Sequence, residues 1–232
     1  MKPQSLKKIL LAALLLPALA LSGCDTTDDE QAPLVTVDDA GNTSIELQNL
    51  QATLDTITVG VLSEQEIDGL MYMREEEKLA HDVYVVLYDI WGQRVFDNIS
   101  SSEQTHTEAV LALINRYSLS DPAAGNGIGI FTNATLQSLN DTLVAGGSSS
   151  LIDALMVGAA IEEIDMIDIN RYIDQLENND DIVLVYENLL KGSRNHLRAF
   201  VSNLEKQGVT YQPQYMDADE YQQIIDSPVE RG

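Results

Sequence analysis

The stretch Arg74-Glu75-Glu76-Glu77-Lys78-Leu79-Ala80-His81-Asp82-Val83-Tyr84 sets three glutamates and a histidine inside an otherwise helical apolar pattern. Such a run is usually a solvated helix face. Helices in a bundle, however, bury positions spaced alternately four and three apart. On that spacing one glutamate joins the buried stripe: Glu66, Leu70, Met73, Glu77, Ala80, Tyr84, Leu87, Trp91. Glu77 therefore faces inward. Glu75 and Glu76 fall off the stripe and are expected at the surface, solvated or paired. His81 lies one residue off it, either a surface histidine or a supporting or spare ligand.

The same spacing applied to the rest of the chain predicts three further long helices. Ser63-Glu64-Gln65-Glu66 has capping-box spacing and opens the first helix, which stops at Gly92. The second is expected from about Asn98 to Tyr117. The third starts in the serines at 148–150 and runs to about Leu176. The fourth spans about Asp181 to Gln207, with Gly208 as its C-terminal cap. Short links join helices one to two and three to four, which makes two antiparallel hairpins. About thirty residues, Leu119 to Ser148, separate the hairpins and include a short helix after Thr132. A link of that length can carry the chain along a whole bundle, although a long surface insertion in an up-down bundle is the alternative. The expected fold is all-α: an antiparallel four-helix bundle with one long crossover between helices 2 and 3. A tail with Tyr211, Pro213 and Tyr215 and a short helical run at Asp217 to Ile225 is expected to pack across one end.

The other three stripes are Ile99, Glu103, His106, Val110, Leu113, Tyr117; then Leu151, Leu155, Gly158, Glu162, Asp165, Ile169, Tyr172, Leu176; then Ile182, Tyr186, Leu189, Ser193, His196, Phe200. Each is apolar at both ends and polar in the middle. Buried carboxylates without partners would lose hydration worth more than the net stability of a domain, or would stay protonated. A bound cation reverses the sign of that problem. Imidazole and carboxylate together suit iron, manganese or zinc. A misphased helix start or an exposed polar turn at Glu103 to His106 are the bland alternatives, and a single Glu-x-x-His is common by chance. All four stripes turn polar together, though, and two of the three histidines fall on them.

These residues resemble the ferritin-like di-iron proteins, which place one Glu on each of two helices and a Glu-x-x-His on each of the other two. The resemblance makes Glu77, Glu103, His106, Glu162 and His196 metal ligands, with iron as the cofactor. It sets Tyr84 where bacterioferritin-type members carry a tyrosine seven residues after the first Glu. The segments at 74–84, 157–169 and 191–200 look like the uncharacterised ferritin-like family known as domain of unknown function 2202, over about residues 63 to 226. Ser193 departs from the pattern, standing where the second Glu-x-x-His has its Glu. Asp165, one turn after Glu162, is the candidate replacement ligand. With Tyr84 and His81, Ser193 is then a side chain supporting the ligands. The resemblance implies a ferroxidase or a peroxide- or oxygen-reducing protein, with a small oxidant or metal ion as ligand; a metal-binding or structural protein without turnover is the alternative.

The 232 residues carry a formal net charge of −24. That excludes nucleic acid and an anionic lipid surface as electrostatic partners. Lys2, Lys7 and Lys8 precede an apolar run, Ile9 to Ala20, too short to span a bilayer. Leu21-Ser22-Gly23-Cys24 looks like a bacterial lipobox, in which Cys24 carries the lipid. A plain secretory signal with an incidental Cys is the alternative. The expected organisation is a lipoprotein signal peptide at 1–23, a flexible acidic tether at 24–60, the helical domain at 61–226 and a tail at 227–232. The expected location is the bacterial cell envelope, anchored to a membrane by lipid. A homo-oligomer is compatible with all of this. The glycine-rich Ala123 to Ile130 lacks the strand and phosphate context of a nucleotide loop and is expected as a plain loop.

Overall fold

Ser63 begins the longest of the described helices by exchanging hydrogen bonds with Glu66. The Ser63 hydroxyl accepts from the Glu66 N–H at 3.2 Å, and the Glu66 carboxylate accepts from the Ser63 N–H at 2.8 Å. In this computed structural model, which describes residues 32–38 and 42–231, that helix is α2 (Glu64–Trp91). Gly92 ends it in the left-handed conformation, φ 63°, which relieves the last turn at no Cβ cost. The elements in chain order are β1 (Val35–Val37), β2 (Thr43–Ile45), α1 (Leu47–Leu54), α2, α3 (Arg94–Arg116), α4 (Ala134–Gly147), α5 (Leu151–Ile173), α6 (Asp180–Lys206) and α7 (Ala218–Asp226). The described residues are all-α apart from one short antiparallel strand pair. Among the described residues, no helix is long and apolar enough to cross a membrane.

The four long helices close into a ring. α2 packs on α3 and α5 on α6 as sequence neighbours, and α2 also packs on α5 and α3 on α6. Their inner faces are the expected stripes: every stripe residue is buried except those at the helix ends, such as Trp91, Tyr117, Leu151 and Leu176, which are half-buried. α3 starts about a turn earlier than expected. Phe96 is buried there, its ring 6.3 Å from that of Tyr84 and 5.7 Å from that of Phe200. Asn133 caps α4 by accepting from the Thr135 and Leu136 N–H groups, and Ser150 caps α5 by accepting from the Asp153 N–H.

Both remaining seams of the ring are covered. α4, carried by the crossover, packs on α2 and α5. On the other side β2 packs on α3 and α6. Thr105 Oγ1 accepts from the Ile45 N–H at 2.9 Å, and Asn195 donates to Thr43 Oγ1 at 2.7 Å. This corrects the reading of 24–60 as a flexible tether, since part of it is folded onto the domain. Val35 pairs with Ile45 and both are buried, as are Leu50 and Leu54, one helical turn apart on α1. The strands have three residues each, too short to stand out as an alternating pattern. Residues 1–31, with Cys24 and the signal and lipidation readings attached to them, lie outside the described residues.

Candidate metal centre

Four helices each project polar side chains into the middle of the ring. α2 supplies Glu77 and Tyr84, α3 supplies Glu103 and His106, α5 supplies Glu162 and Asp165, and α6 supplies Ser193 and His196. All are buried, none more than 5% exposed. Glu103 sits between the two imidazoles. One of its oxygens is 2.9 Å from His106 Nδ1 and the other is 2.8 Å from His196 Nδ1. Each Nδ1 also faces a second carboxylate: Glu77 at 3.4 Å from His106, and Glu162 at 3.5 Å from His196. The two rings stack with centroids 5.3 Å apart. Ligand atoms of Glu103, His106 and His196 fall within 4.8 Å of one another, a group that could hold a metal ion.

Short distances here are not hydrogen bonds. His106 Nδ1, His196 Nδ1, both oxygens of Glu77 and one of Asp165 are buried with no hydrogen-bond partner. The nitrogens approach carboxylate oxygens at angles that do not aim an N–H at them. Unpartnered buried donors and acceptors are costly and rare in native proteins. A cation among them would satisfy imidazole lone pairs and carboxylates at once, so the donor set fits a metal of the iron, manganese or zinc type.

Supporting contacts fix the orientations. The Tyr84 hydroxyl donates to a Glu162 oxygen at 2.6 Å. Ser102 Oγ lies 2.8 Å from His196 Nε2, which turns Nδ1 toward the carboxylates. Ser193 donates to Asp165 and also to the Leu189 carbonyl. His106 is held by shape instead: Gly192 passes so close that a Cβ there would lie 2.5 Å from Nε2. Ser102 and Gly192 were not visible as site residues, because their types alone carry no ligand signal.

Titration follows the burial. Glu77 is pushed up to about 7 by burial and by Glu103, against the pull of His106. Glu162 is raised by burial, with His196 opposing, and Asp165 is raised well above its ordinary value by burial, Glu77 and Glu103. Glu103 is the exception: despite burial, His106 and His196 hold it well below the usual carboxylate range. The histidines respond in kind. Burial lowers both, yet Glu103 drives His106 well above its ordinary value, and Glu103 with Glu162 raises His196 to about 9.

His81 does not reach this centre. Its Nδ1 is 2.8 Å from the Asp82 carboxylate, and its side chain is partly exposed. Glu66, another carboxylate on the α2 stripe, is a clamp: besides Ser63 it accepts from the Glu177 N–H and the Asn179 amide, tying α2 to the α5–α6 link. The expectation that Glu75 and Glu76 are solvated is wrong, since both are buried. α4 lies across that side of α2 and removes it from water. Glu75 accepts from the N–H groups of Thr132 and Asn133, where the positive end of α4 favours an anion. Neither Glu76 oxygen has a hydrogen-bond partner.

The chain is 50% identical over 171 residues to the uncharacterised protein MJ0754 of Methanocaldococcus jannaschii, a match covering 74% of this chain and 92% of that protein. It superposes on the crystal structure of hypothetical protein MJ0754 with a TM-score of 0.74 at 47% identity, covering 75% of this chain and 99% of the other. The uncharacterised protein domain DUF2202 matches residues 66–228, so all but the first two residues of the helix ring and every residue of the buried Glu/His centre lie within it, and the chain belongs to that family.

Proposed function

We propose that this protein is a ferritin-like metalloprotein that binds two metal ions, iron foremost, and oxidises ferrous iron with oxygen or peroxide as the acceptor. One observation carries the reading: two buried imidazole Nδ1 atoms flank one carboxylate, each faces a second carboxylate, and neither has a hydrogen bond. Glu77, Glu103 and His106 would hold one ion. Glu103, Glu162 and His196 would hold the other, with Asp165 completing the carboxylate set. Bound iron would supply the electrons that reduce the oxidant. The protein's own residues do the rest. Glu103, kept ionised by the two histidines, would serve both ions, and Glu77 and Glu162, whose proton affinity burial raises, would give up their protons to hold them. Ser102 and Tyr84 hold His196 and Glu162 in place, and the buried rings of Phe96 and Phe200 pack on Tyr84 and keep water from it.

Asp165 and Ser193 account for the departure from the paired Glu-x-x-His pattern. The missing α6 carboxylate is replaced from α5, and Ser193 pins its replacement by a hydrogen bond. Cys24 and the basic and apolar stretches before it support attachment to the bacterial cell envelope through lipid. Two or three acyl chains give stable anchoring at about 0.8 kcal/mol per buried methylene.

Metal analysis of protein purified from its native host, followed by oxygen and peroxide consumption with ferrous iron, tests the reading. Bound iron with rapid oxidant uptake, both abolished by Glu103→Ala, is the expected result. Ser193 favours a second reading, a metal held without turnover; bound metal with no oxidant uptake would select it. Absence of metal, with Glu77→Ala or His106→Ala raising stability, would overturn both.

A further inference from the structure

Glu76 is a buried carboxylate that the central site does not use. It is buried, and both carboxylate oxygens lack a hydrogen-bond donor. It points into a small cavity between α2, α4 and α5, whose walls are Leu79, Ala80, Leu139, Leu143, Ile161 and Ile164. The other polar side chain in that cavity is Asp165, one of whose oxygens is also unpartnered. Asp168 follows Asp165 by one helical turn on α5, and burial, Asp165 and then Asp168 raise the Glu76 carboxyl well above its ordinary value. Asp168 is partly exposed and pairs with Arg171 at 2.9 Å. Tyr72, Tyr172 and Tyr186 are the phenols near enough for Glu76 to raise their pKa values. Two buried carboxylates, Glu76 and Asp165, thus share one cavity, with the partly exposed Asp168 one turn further along α5. Among the described residues, no lysine, arginine or histidine donates to Glu76.

A carboxylate pair in an aliphatic wall is repulsive unless a proton or a cation lies between its members. A purely structural glutamate would find a donor, as Glu75 and Glu66 do a few residues away. The oxygen-only donor set, without imidazole, differs from the central site and suits a hard divalent cation such as Mn²⁺, Fe²⁺ or Mg²⁺. We propose that Glu76, Asp168 and Asp165 form a second divalent-cation site at the α2/α5 seam, distinct from the His-containing centre and placed between it and solvent. Asp165 is the side chain the two sites share, which makes the seam the path by which a cation reaches the interior. The site needs neither histidine of the centre, so it stands or falls separately from the activity proposed there.

The test is Mn²⁺ titration of the full-length protein, followed by electron paramagnetic resonance, with Glu76→Gln and a His106→Ala/His196→Ala double variant alongside. Glu76→Gln keeps the shape and removes a buried charge, so it is expected to fold. The wild type should bind a class of Mn²⁺ that survives in the double-histidine variant. Glu76→Gln should weaken that class about 10- to 100-fold, the range for disturbing a metal's surroundings, and slow loading of the central site. Asp168→Asn, nearer the surface, provides a milder second variant with the same direction. Mn²⁺ binding and loading rates unchanged by Glu76→Gln, with a raised melting temperature instead, would show that the pair holds only a proton and would overturn the proposal. If the double-histidine variant binds Mn²⁺ as the wild type does, the central reading fails while the seam site stands.

Discussion

Gly192 shows how a residue without chemistry can govern one with it. A Cβ at this position would sit 2.4 Å from His106 Cε1 and 2.5 Å from Nε2, and the ring is fully buried. Gly192→Ala must therefore push His106 off its place between Glu77 and Glu103. Overpacking of this kind costs about 1–3 kcal/mol. We expect lower stability in urea and weaker binding of Mn²⁺ at the His-containing centre, with the seam at Glu76 unaffected. Unchanged Mn²⁺ affinity at the centre would mean that His106 is not held by Gly192. The three glutamates at 75–77 make the same point in another form. Identical side chains in a row meet a helix N-terminus, an aliphatic cavity and a histidine, and acquire three different roles.

At the scale of elements, the covers over the two seams matter most. α4 closes the α2/α5 side, and the strand pair with α1 closes part of the α3/α6 side and the outer face of α3. Leu54 is fully buried on α1. Leu54→Ala is expected to destabilise the domain by about 2–5 kcal/mol, the usual cost of such a cavity. A residue on a tether would show no effect, so a denaturation midpoint unmoved by this substitution would restore the tether reading for α1. Most helix ends were legible in advance from local signals, Ser63 with Glu66, Gly92, the serines at 148–150 and Gly208, whereas α3, which has no side-chain cap, starts about a turn earlier than expected. The strand pair was not legible, because three residues per strand cannot establish a period. Its burial depends on partners in α3 and α6 far away in the chain.

For the molecule as a whole, the centre links stability to pH. Glu77 titrates at about 7 when folded, against an ordinary 4.5, chiefly through burial. As pH rises between those values, the unfolded chain has already released this proton and the folded chain must give it up at a cost, so stability falls. His196 is raised from 6.5 to about 9 against its burial by Glu103 and Glu162. Its charged pairing contributes fully below the lower value and is lost as pH passes the higher one. Both effects have the same sign. Metal-free protein should melt at progressively lower temperature from about pH 6 to about pH 9. Added Mn²⁺ should raise the melting temperature most at the upper end, where protons no longer compete for the ligands. Calorimetry with and without chelator checks this; a metal-free melting temperature that climbs over the same interval would contradict it.

The sequence by itself determined the all-α class, the four long helices with most of their ends, the connection of two hairpins by a long crossover, and the inward set Glu77, Glu103, His106, Glu162, Asp165, Ser193 and His196. Those follow from periodicity, because a helix presents every third or fourth residue to the same side whatever it packs against. Only the tertiary structure decided which other faces are also buried. A periodic stripe assumes one partner per helix, whereas α2 meets α3 and α5 along its stripe and α4 along its flank. That second contact took Glu75 and Glu76 out of water, and the folding of the strand pair and α1 onto α3 did the same for residues expected in solvent. His81 stayed outside because its side of α2 faces Asp82 and a surface cleft. Burial of a second face depends on the path of the connecting chain, which local spacing does not encode.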